Sequence, residues 1–325
     1  MSKIDFSKNI DCIFVLMQGV VTKSTGSWYI VKTDDGQVLN CRIRGKFRLK
    51  GIKSTNPVVV GDRVGLVKEE ESYLIDELFE RKNYIIRKSV NLSKQTHIIA
   101  SNIDQAVLMV TIKSPVTTAG FIDRFLVSAK AYGVGVVLLF NKSDLYDQSD
   151  KQKLTNYLSI YRSIGYTCIT TSVLHDELSQ IKAVMSRKIN VICGHSGVGK
   201  STLLNALQPS LEITTNEISQ MYQQGQHTTT FSQLYELDFG ATVIDTPGVK
   251  GFGLVEIERD ELADYFPEFF ALKSDCNFNN CLHINEPHCA VKKALDKGLI
   301  FSSRYQNYLS MLQQDEENFR VNKYQ

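Results

Sequence analysis

Residues 194–201 have the types and the spacing of a phosphate-binding loop. They read Gly-His-Ser-Gly-Val-Gly-Lys-Ser, which matches GxxxxGK[ST], and they lie between an apolar run typical of a strand and a run typical of a helix. In such a loop the backbone amides turn towards phosphate oxygens, a lysine reaches the β and γ phosphates, and a serine hydroxyl binds magnesium. The predicted nucleotide contacts are Gly194, His195, Ser196, Gly197, Val198, Gly199, Lys200, Ser201 and Thr202, with Lys200 also catalytic and Ser201 also the magnesium ligand.

A second motif with phosphate chemistry follows further along the chain. Asp245-Thr246-Pro247-Gly248 comes after the apolar run 241–244, so Asp245 is expected at the carboxyl end of a strand, where it can reach magnesium through water. The Gly248 N–H would then contact the γ-phosphate. On its own this motif is an ordinary turn, and it gains meaning from the phosphate loop that precedes it.

The polar segment between these two motifs predicts a mobile loop that responds to the nucleotide. It contains the run Gly-Gln-His-Thr-Thr-Thr at 225–230. Thr229 or Thr230 would complete the magnesium shell when the γ-phosphate is present, which would make this segment a switch. A plain surface loop is the alternative interpretation.

The run Asn-Lys-Ser-Asp at 141–144 predicts recognition of guanine. It follows the apolar run 134–140, and the Asp144 carboxylate can accept hydrogen bonds from both the N1 and the amino group of guanine. Adenine has neither donor in that arrangement, and an unpaired buried carboxylate gives discrimination of roughly 10⁴ or more. The nucleotide is therefore predicted to be GTP. The predicted contacts are Asn141, Lys142, Ser143, Asp144 and, after the next strand, the backbone of Ser172.

Apolar runs alternate with helix-length segments from residue 103 onward, which is typical of a parallel sheet with helices on both faces. The expected strands are 106–112, 134–140, 166–170 and 189–193, and the expected helices are 121–132, 150–163 and 176–185, with further helix after about residue 290. The guanine motif precedes the phosphate loop, whereas ordinary GTPases have the phosphate loop first. The sequence therefore predicts a circularly permuted P-loop GTPase domain.

Residues 15–80 form short apolar runs broken by turn residues, which predicts a small β-barrel of the oligonucleotide-binding (OB) type. Within it, residues 41–50 alternate between basic and mainly apolar side chains, so one strand face is expected to be basic. The basic residues are Arg42, Arg44, Lys46, Arg48 and Lys50. A solvated strand face is the ordinary interpretation, but a run of positive charge without an acid favours phosphate binding. Trp28, Tyr29 and Phe47 would stack on bases or lie in the core.

Four soft ligands within fourteen residues predict a structural zinc site. The ligands are Cys276, Cys281, His283 and Cys289. Zinc would stabilise a segment that is too short to bury a core of its own. His288 is an alternative ligand, although its adjacency to Cys289 is geometrically awkward. A chance cluster of free cysteines is the other interpretation.

The composition limits the number of domains and the kinds of partner that are expected. The 325 residues are 43% hydrophobic with a formal net charge of +2, so two or three globular domains are expected and any nucleic-acid surface must be a local patch. We predict an OB domain at 1–85, a GTPase domain at 86–254 and a zinc-binding helical domain at 255–325. No apolar run approaches the roughly 20 residues of a membrane span, and no leader peptide is recognisable. A cytoplasmic protein is therefore expected. Nothing in the sequence suggests an obligate dimer, so we expect a monomer. The remaining cysteines, Cys12, Cys41, Cys168 and Cys193, are expected in the core.

In this order, the motifs resemble the bacterial GTPases that depend on the small ribosomal subunit, the circularly permuted family often called RsgA or YjeQ. The resemblance extends from the barrel through the guanine motif, phosphate loop, polar loop and Asp-Thr-Pro-Gly motif to the cysteine and histidine pattern. It implies a role late in maturation of the 30S subunit, with binding to 16S rRNA and release upon GTP hydrolysis.

One position departs from ordinary small GTPases. Val249 stands where they carry the glutamine that orients the attacking water. The resemblance implies that His227 takes this catalytic role, and that the ribosomal particle accelerates an otherwise slow reaction. Two other interpretations stay open: an RNA-binding scaffold that holds GTP as a structural ligand, and a nucleotide kinase, for which no acceptor site is evident.

Overall fold

The computed structural model describes residues 17–25, 27–44, 57–69, 72–88, 96–212, 232–245 and 257–322. The strands are β1 (Met17–Ser24), β2 (Tyr29–Thr33), β3 (Val38–Ile43), β4 (Arg63–Glu69), β5 (Ser72–Leu78), β6 (Tyr84–Lys88), β7 (Thr96–Ser101), β8 (Gln105–Val110), β9 (Gly135–Phe140), β10 (Thr167–Thr170), β11 (Ile189–Cys193), β12 (Gln233–Glu236) and β13 (Thr242–Asp245). The helices are α1 (Ala119–Ala131), α2 (Gln148–Ser163), α3 (Ser179–Met185), α4 (Lys200–Leu207), α5 (Pro267–Lys273), α6 (Ala290–Asp296) and α7 (Ser302–Asn322).

Strands β1 to β5 close into a barrel in the order β1-β2-β3-β5-β4, because β1 pairs with both β2 and β4. Neighbouring strands are antiparallel except β3 and β5, which are parallel. This is the topology of an OB barrel, as predicted. Inward-facing side chains such as Val21, Val31 and Leu66 are fully buried and form its core. Alternation along each strand places these residues on one face.

The GTPase sheet has the order β10-β9-β8-β11-β13-β12, and all of its neighbours are parallel except β12 and β13. Alternate residues of β8 enter different cores. Ala106 and Leu108 pack in a cluster with α1 and α2, whereas Val107 and Met109 pack in a cluster with α3 and α4. Helices therefore cover both faces of the sheet, as the sequence predicted. The carboxyl ends of β8, β9, β10 and β11 meet at one edge, where ligands bind in such folds.

The barrel is connected to this sheet by backbone and side-chain contacts. Strand β1 pairs with β12 at Lys23 and Gln233, and the Lys32 Nζ lies 2.6 Å from a carboxylate oxygen of Glu236. Nearby, the fully buried Asp62 accepts hydrogen bonds from Arg81 and from the Ser101 hydroxyl. A buried carboxylate requires such donors. The barrel and the sheet are thus joined through charged groups that are satisfied across the junction.

The C-terminal helices pack on α1 of the GTPase domain around a buried arginine. Arg304 is 1% exposed, and its guanidinium lies 2.7 Å from Glu268 Oε1 and 2.7 Å from Asp123 Oδ1. Asp123 also accepts hydrogen bonds from the Tyr161 hydroxyl at 2.8 Å and from Asn307 Nδ2 at 2.5 Å. Burial opposes the charge on Arg304, but the two carboxylates outweigh it and raise the pKa of the guanidinium. No sequence motif indicated this cluster.

Three smaller predictions concern residues that the structure describes only in part. Cys41, Cys168 and Cys193 are buried, as expected, whereas Cys12 lies outside the described residues. Strand β3 ends at Ile43, and of the basic strand predicted over 41–50 only residues 41–44 are described; Lys46, Phe47, Arg48 and Lys50 lie outside the described residues. Within the part of the chain that the structure describes, no helix is long and apolar enough to cross a membrane.

Candidate nucleotide-binding site and metal centre

The phosphate loop lies between the end of β11 and the start of α4. Gly194, Gly197 and Gly199 have φ angles of 141°, 82° and 103°, which side chains other than glycine rarely adopt. Space also requires glycine, because a Cβ at Gly199 would lie 2.6 Å from Asn141 Nδ2. The backbone of the phosphate loop at Gly199 is therefore packed directly against Asn141 of the guanine motif. The loop leads into the amino terminus of α4, where free backbone N–H groups and the helix dipole favour binding of an anion.

The side chains at this helix start are placed for phosphate and cation chemistry. The Lys200 ammonium donates to the carbonyls of Gly194 and His195 at 2.8 Å each, so it lies across the loop. Ser201 is 8% exposed in the first turn of α4, and Thr202 beside it is half-buried. His195 extends to the other side, where its ring centroid is 4.0 Å from that of Phe121 on α1. That contact was not anticipated from the sequence.

The guanine motif is held against the phosphate loop by its first two residues. Asn141, 3% exposed, donates from Nδ2 to the Val198 carbonyl at 2.9 Å and accepts at Oδ1 from the Val173 N–H at 3.1 Å. The Lys142 ammonium donates to the carbonyls of Ser114 and Gly197 at 2.7 Å each. These bonds fix the base-recognition loop and the phosphate loop as one unit.

Asp144 follows in a 3₁₀ turn and is partly open to solvent, with its side chain 33% exposed. The Ser172 hydroxyl donates to its Oδ1 at 2.6 Å, and His175 Nε2 lies 3.9 Å from its Oδ2. The Ser172 N–H is bonded to Asp176 at 2.5 Å. The sequence predicted a backbone contact of Ser172 with the base, whereas the structure gives Ser172 a side-chain contact with Asp144. Ser143 bonds through its N–H to the Thr171 carbonyl at 3.2 Å.

Several predicted residues cannot be compared with the structure. Asp245 is the last residue of β13, at the same edge of the sheet as the phosphate loop, but its side chain is not described. Gly248, His227, Thr229 and Thr230 lie outside the described residues. Their roles stay predictions.

The four predicted zinc ligands come together at one point. The ligand atoms of Cys276, Cys281, His283 and Cys289 all lie within 4.8 Å of one another. The His283 Nδ1 is 3.6 Å from Cys276 Sγ and 3.3 Å from Cys289 Sγ, and these two sulfurs are 4.0 Å apart. Sulfur ligands about 2.3 Å from a tetrahedral ion would be about 3.8 Å apart, and a nitrogen ligand at about 2.0 Å would lie about 3.5 Å from each sulfur. The cluster therefore fits a zinc ion.

The protonation state of His283 and the N–H groups near the sulfurs also favour binding of a zinc ion. Burial lowers the pKa of His283, so its imidazole is neutral near pH 7, as a zinc ligand must be. The N–H groups of Ala290 and Lys292 point at the sulfurs of Cys276 and Cys289, at 3.4 and 3.5 Å. Such N–H groups orient thiolate ligands and stabilise their charge.

A glutamate that the sequence analysis missed shapes the loop of this cluster. The Glu286 carboxylate accepts hydrogen bonds from the N–H groups of Leu282, Ile284 and Asn285 at 2.8, 2.8 and 3.0 Å. Burial opposes its charge, but these backbone bonds outweigh burial and lower the pKa of Glu286. The carboxylate thus holds the turn that presents His283, which has a φ of 58°.

Comparisons with known proteins identify the family. The model of the family described as RsgA GTPase matches residues 78–255, and that of the RsgA N-terminal domain matches residues 18–73. The chain belongs to the RsgA GTPase family. It is 54% identical to the small ribosomal subunit biogenesis GTPase RsgA of Christiangramia forsetii, over 95% of this chain and 100% of that protein. The protein of the same name from Bacteroides fragilis is 52% identical over 93% of this chain and 98% of its own length.

Solved structures in this family have the same architecture. YjeQ from Thermotoga maritima superposes with a TM-score of 0.76 at 36% identity, covering 92% of this chain and 98% of that one. YloQ, described as a circularly permuted GTPase, gives a TM-score of 0.74 at 31% identity, covering 95% of this chain and 99% of that one. The predicted fold class is thereby confirmed. Family membership makes this chain a GTP hydrolase whose nucleotide is guanine-based and bound with magnesium.

Proposed function

We propose that this RsgA-family GTPase binds the small (30S) ribosomal subunit, assists its late maturation and hydrolyses GTP to GDP and phosphate when the subunit stimulates it. Relatives at 52–54% identity carry the name small ribosomal subunit biogenesis GTPase. The structural observation that carries the proposal is the attachment of the guanine motif to the phosphate loop. Asn141 bonds to the Val198 carbonyl and Lys142 to the Gly197 carbonyl, so base recognition and phosphate binding share one rigid unit.

In this site each part has a separate task. Asp144 would accept the two donors of the guanine edge, while the Ser172 hydroxyl donates one hydrogen bond to its Oδ1 and orients the carboxylate. The amides at the start of α4 and the Lys200 ammonium bind the phosphates and stabilise the charge that develops during transfer. The Ser201 hydroxyl would hold magnesium, which supplies further charge neutralisation when bound. For catalysis Lys200 must leave the carbonyls that it now contacts and turn to the phosphates.

The remaining catalytic assignments rest on sequence and family. Asp245 and one of Thr229 and Thr230 would complete the magnesium shell, and the Gly248 N–H would contact the γ-phosphate. His227 would orient the attacking water, since Val249 cannot do so by hydrogen bonding. We expect a slow basal reaction that the ribosomal particle accelerates, because Val249 offers no hydrogen bond to the attacking water.

The barrel is proposed to bind 16S rRNA. Trp28 is 46% exposed, and the Arg42 guanidinium lies 3.9 Å from the centroid of its ring. A stacked pair of this kind offers a base both an aromatic surface and a positive charge. Arg44 is less available, because Asp76 lies 2.7 Å away. Tyr29 is buried and belongs to the core.

The C-terminal cluster is proposed to hold one structural zinc ion, with Cys276, Cys281, His283 and Cys289 as its ligands. The cluster offers four protein ligands, which is the pattern of structural and not of catalytic sites. We further propose that the chain works as a monomer with domains near 1–85, 86–254 and 255–325.

Steady-state GTP hydrolysis, with and without purified 30S subunits, tests the function. The wild type should turn over slowly alone and much faster with 30S subunits, and Ser201→Ala should lose the stimulated rate because magnesium loses a ligand. Purified 50S subunits are the matched control and should not stimulate.

Other outcomes would point elsewhere. Tight GTP binding with no stimulation by 30S subunits would favour a scaffold that holds GTP structurally. A phosphorylated small molecule in place of free phosphate would indicate a kinase.

A further inference from the structure

Tyr146 lies two residues beyond Asp144 and belongs to none of the sequence motifs. Its side chain is buried, with 5% of the residue exposed. Its hydroxyl accepts a hydrogen bond from the Ile112 N–H at 2.9 Å and donates one to the Asn141 carbonyl at 2.5 Å. The phenol therefore connects the carboxyl ends of β8 and β9 at the edge of the nucleotide site.

The hydroxyl occupies a specific place in the hydrogen-bond ladder of the sheet. Strands β8 and β9 are parallel with Val110 opposite Phe140, and the Asn141 N–H donates to the Val110 carbonyl at 2.8 Å. In a parallel ladder the next bond would run from the Ile112 N–H to the Asn141 carbonyl. Tyr146 inserts its hydroxyl between these two groups. The strands can separate there, and neither buried backbone group is left without a partner.

The same contact connects the two ends of the short segment that carries Asp144, the residue assigned to guanine recognition. Residues 141 to 146 form a tight turn in which the Tyr146 N–H also bonds to the Ser143 carbonyl at 3.3 Å. With the hydroxyl bonded to Asn141, the turn is tied at its beginning and its end, and Asp144 lies inside it. Burial raises the pKa of the phenol, so the hydroxyl keeps the proton that it donates.

We propose that Tyr146 is a positioning residue for guanine recognition: its hydroxyl fixes the backbone of Asn141 and thereby places the Asp144 carboxylate on the base. The inference rests on the assignment of Asp144 as the guanine-binding group. Asn141 uses its side chain to hold the phosphate loop and Val173, so its carbonyl is the part of the residue that Tyr146 controls. Without the hydroxyl, the turn that carries Asp144 loses the bond that connects its last residue to its first.

A purely structural role is the competing explanation, since the Tyr146 ring also belongs to the core cluster between the sheet and helices α1 and α2. The two roles differ in what they change. Core packing affects the stability of the whole domain, whereas positioning of Asp144 affects the choice between bases. The discriminating quantity is therefore a ratio of affinities and not an affinity or a melting temperature.

Equilibrium binding of GDP and inosine diphosphate to the full chain measures this ratio. Hypoxanthine lacks the 2-amino group, so inosine diphosphate offers Asp144 one donor fewer than GDP does. In Tyr146→Phe the preference for GDP should fall by about tenfold or more, since tenfold is near the lower limit of the value of one hydrogen bond to a charged group. Tyr161→Phe is the matched control, because it removes a fully buried phenol hydroxyl from the same core and should keep the wild-type preference.

Two further measurements test whether Tyr146 acts by positioning Asp144, and the outcomes distinguish an error in this proposal from an error in the assignment of Asp144. Tyr146→Phe should need more GTP to reach half-maximal rate, while its turnover at saturating GTP stays at the wild-type value. Incorporation of 4-aminophenylalanine at position 146, which can both donate and accept, should restore the preference. An unchanged preference in Tyr146→Phe overturns the proposal, and no preference in the wild type overturns the assignment of Asp144 and the proposal with it.

Hydrogen exchange in the wild type tests the bridge even if Tyr146→Phe does not fold. The Ile112 amide should exchange as slowly as the amides of β8. Exchange at the rate of an open loop amide would show that the bridge is not formed, and would also overturn the proposal.

Discussion

Replacement of Arg304 by methionine should destabilise the protein strongly, because it removes the cation from a buried cluster and leaves two carboxylates behind. Asp123 is fully buried and lies 2.7 Å from the guanidinium, whereas Glu268 is partly open to solvent and can be hydrated. Loss of one partner from a buried pair costs about 3–5 kcal/mol, since the remaining charge has no compensation. Methionine fills much of the space, so the cavity contribution should be small.

Urea unfolding gives the free-energy difference, and the exposed pair Arg63 and Asp34 provides the control. That pair has a similar distance, 2.6 Å, but its side chains are 44% and 55% exposed. Arg63→Met should therefore cost less than about 1 kcal/mol. The double variant Asp123→Asn with Arg304→Met should be more stable than Arg304→Met alone, because no buried charge is left at Asp123.

The loss in Arg304→Met should also depend on pH in a defined direction. Burial raises the pKa of Asp123, and without Arg304 nothing opposes this effect except hydrogen bonds. A carboxyl whose pKa is higher in the folded than in the unfolded state destabilises the fold above its folded pKa, and protonation relieves the penalty below it. The loss of unfolding free energy in Arg304→Met should therefore be smaller at about pH 5 than at about pH 8. A loss below 1 kcal/mol, or one that Asp123→Asn does not reduce, would refute the electrostatic account.

Two further substitutions test the site itself. Gly199→Ala should lower GDP affinity by at least about tenfold in a calorimetric titration, because φ is 103° and the new Cβ would meet Asn141 at 2.6 Å. Gly240→Ala, with φ of 80° and nothing within 4 Å, should cost about 1 kcal/mol of stability and leave the affinity unchanged. Cys276→Ser should reduce bound zinc, measured by atomic absorption, well below one ion per chain, whereas Cys168→Ala should keep it; equal zinc in both would remove Cys276 from the ligand set.

The elements of the GTPase domain were predictable because their patterns are local. All six residues of β8 are buried, and a continuous apolar run is typical of a parallel strand covered on both faces. The carboxyl end of this strand was less predictable. The expected strand ran to Ile112, but β8 ends at Val110, because the Ile112 N–H leaves the ladder for the Tyr146 hydroxyl. No local pattern shows that a side chain will replace a backbone partner.

Contacts between distant segments account for what the sequence did not indicate. A lysine in the guanine motif is expected from the pattern, but its bonds to Ser114 and Gly197 depend on how two loops approach each other. The barrel gives a similar case. The sequence around Arg44 does not indicate an ion-pair partner, yet the parallel pairing of β3 with β5 places Asp76 beside it. The run of basic residues therefore overstates the charge that is free to bind phosphate.

The cluster of Cys276, Cys281, His283 and Cys289 is attached to the GTPase domain through helix α7, and Cys281 and Cys289 belong to the same buried core as Phe266 and Phe269. Helix α7 bonds to the zinc loop through the hydroxyls of Tyr305 and Tyr308, which donate to the carbonyls of His283 and Leu282 at 2.7 Å each. The neighbouring Arg304 connects the same helix to α1. Arg304 and Tyr308 are four positions apart and therefore lie on the same face of the helix. Loss of a ligand from this cluster and loss of Arg304 should thus both weaken the packing of one face of α7, which connects the proposed zinc site with the GTPase domain.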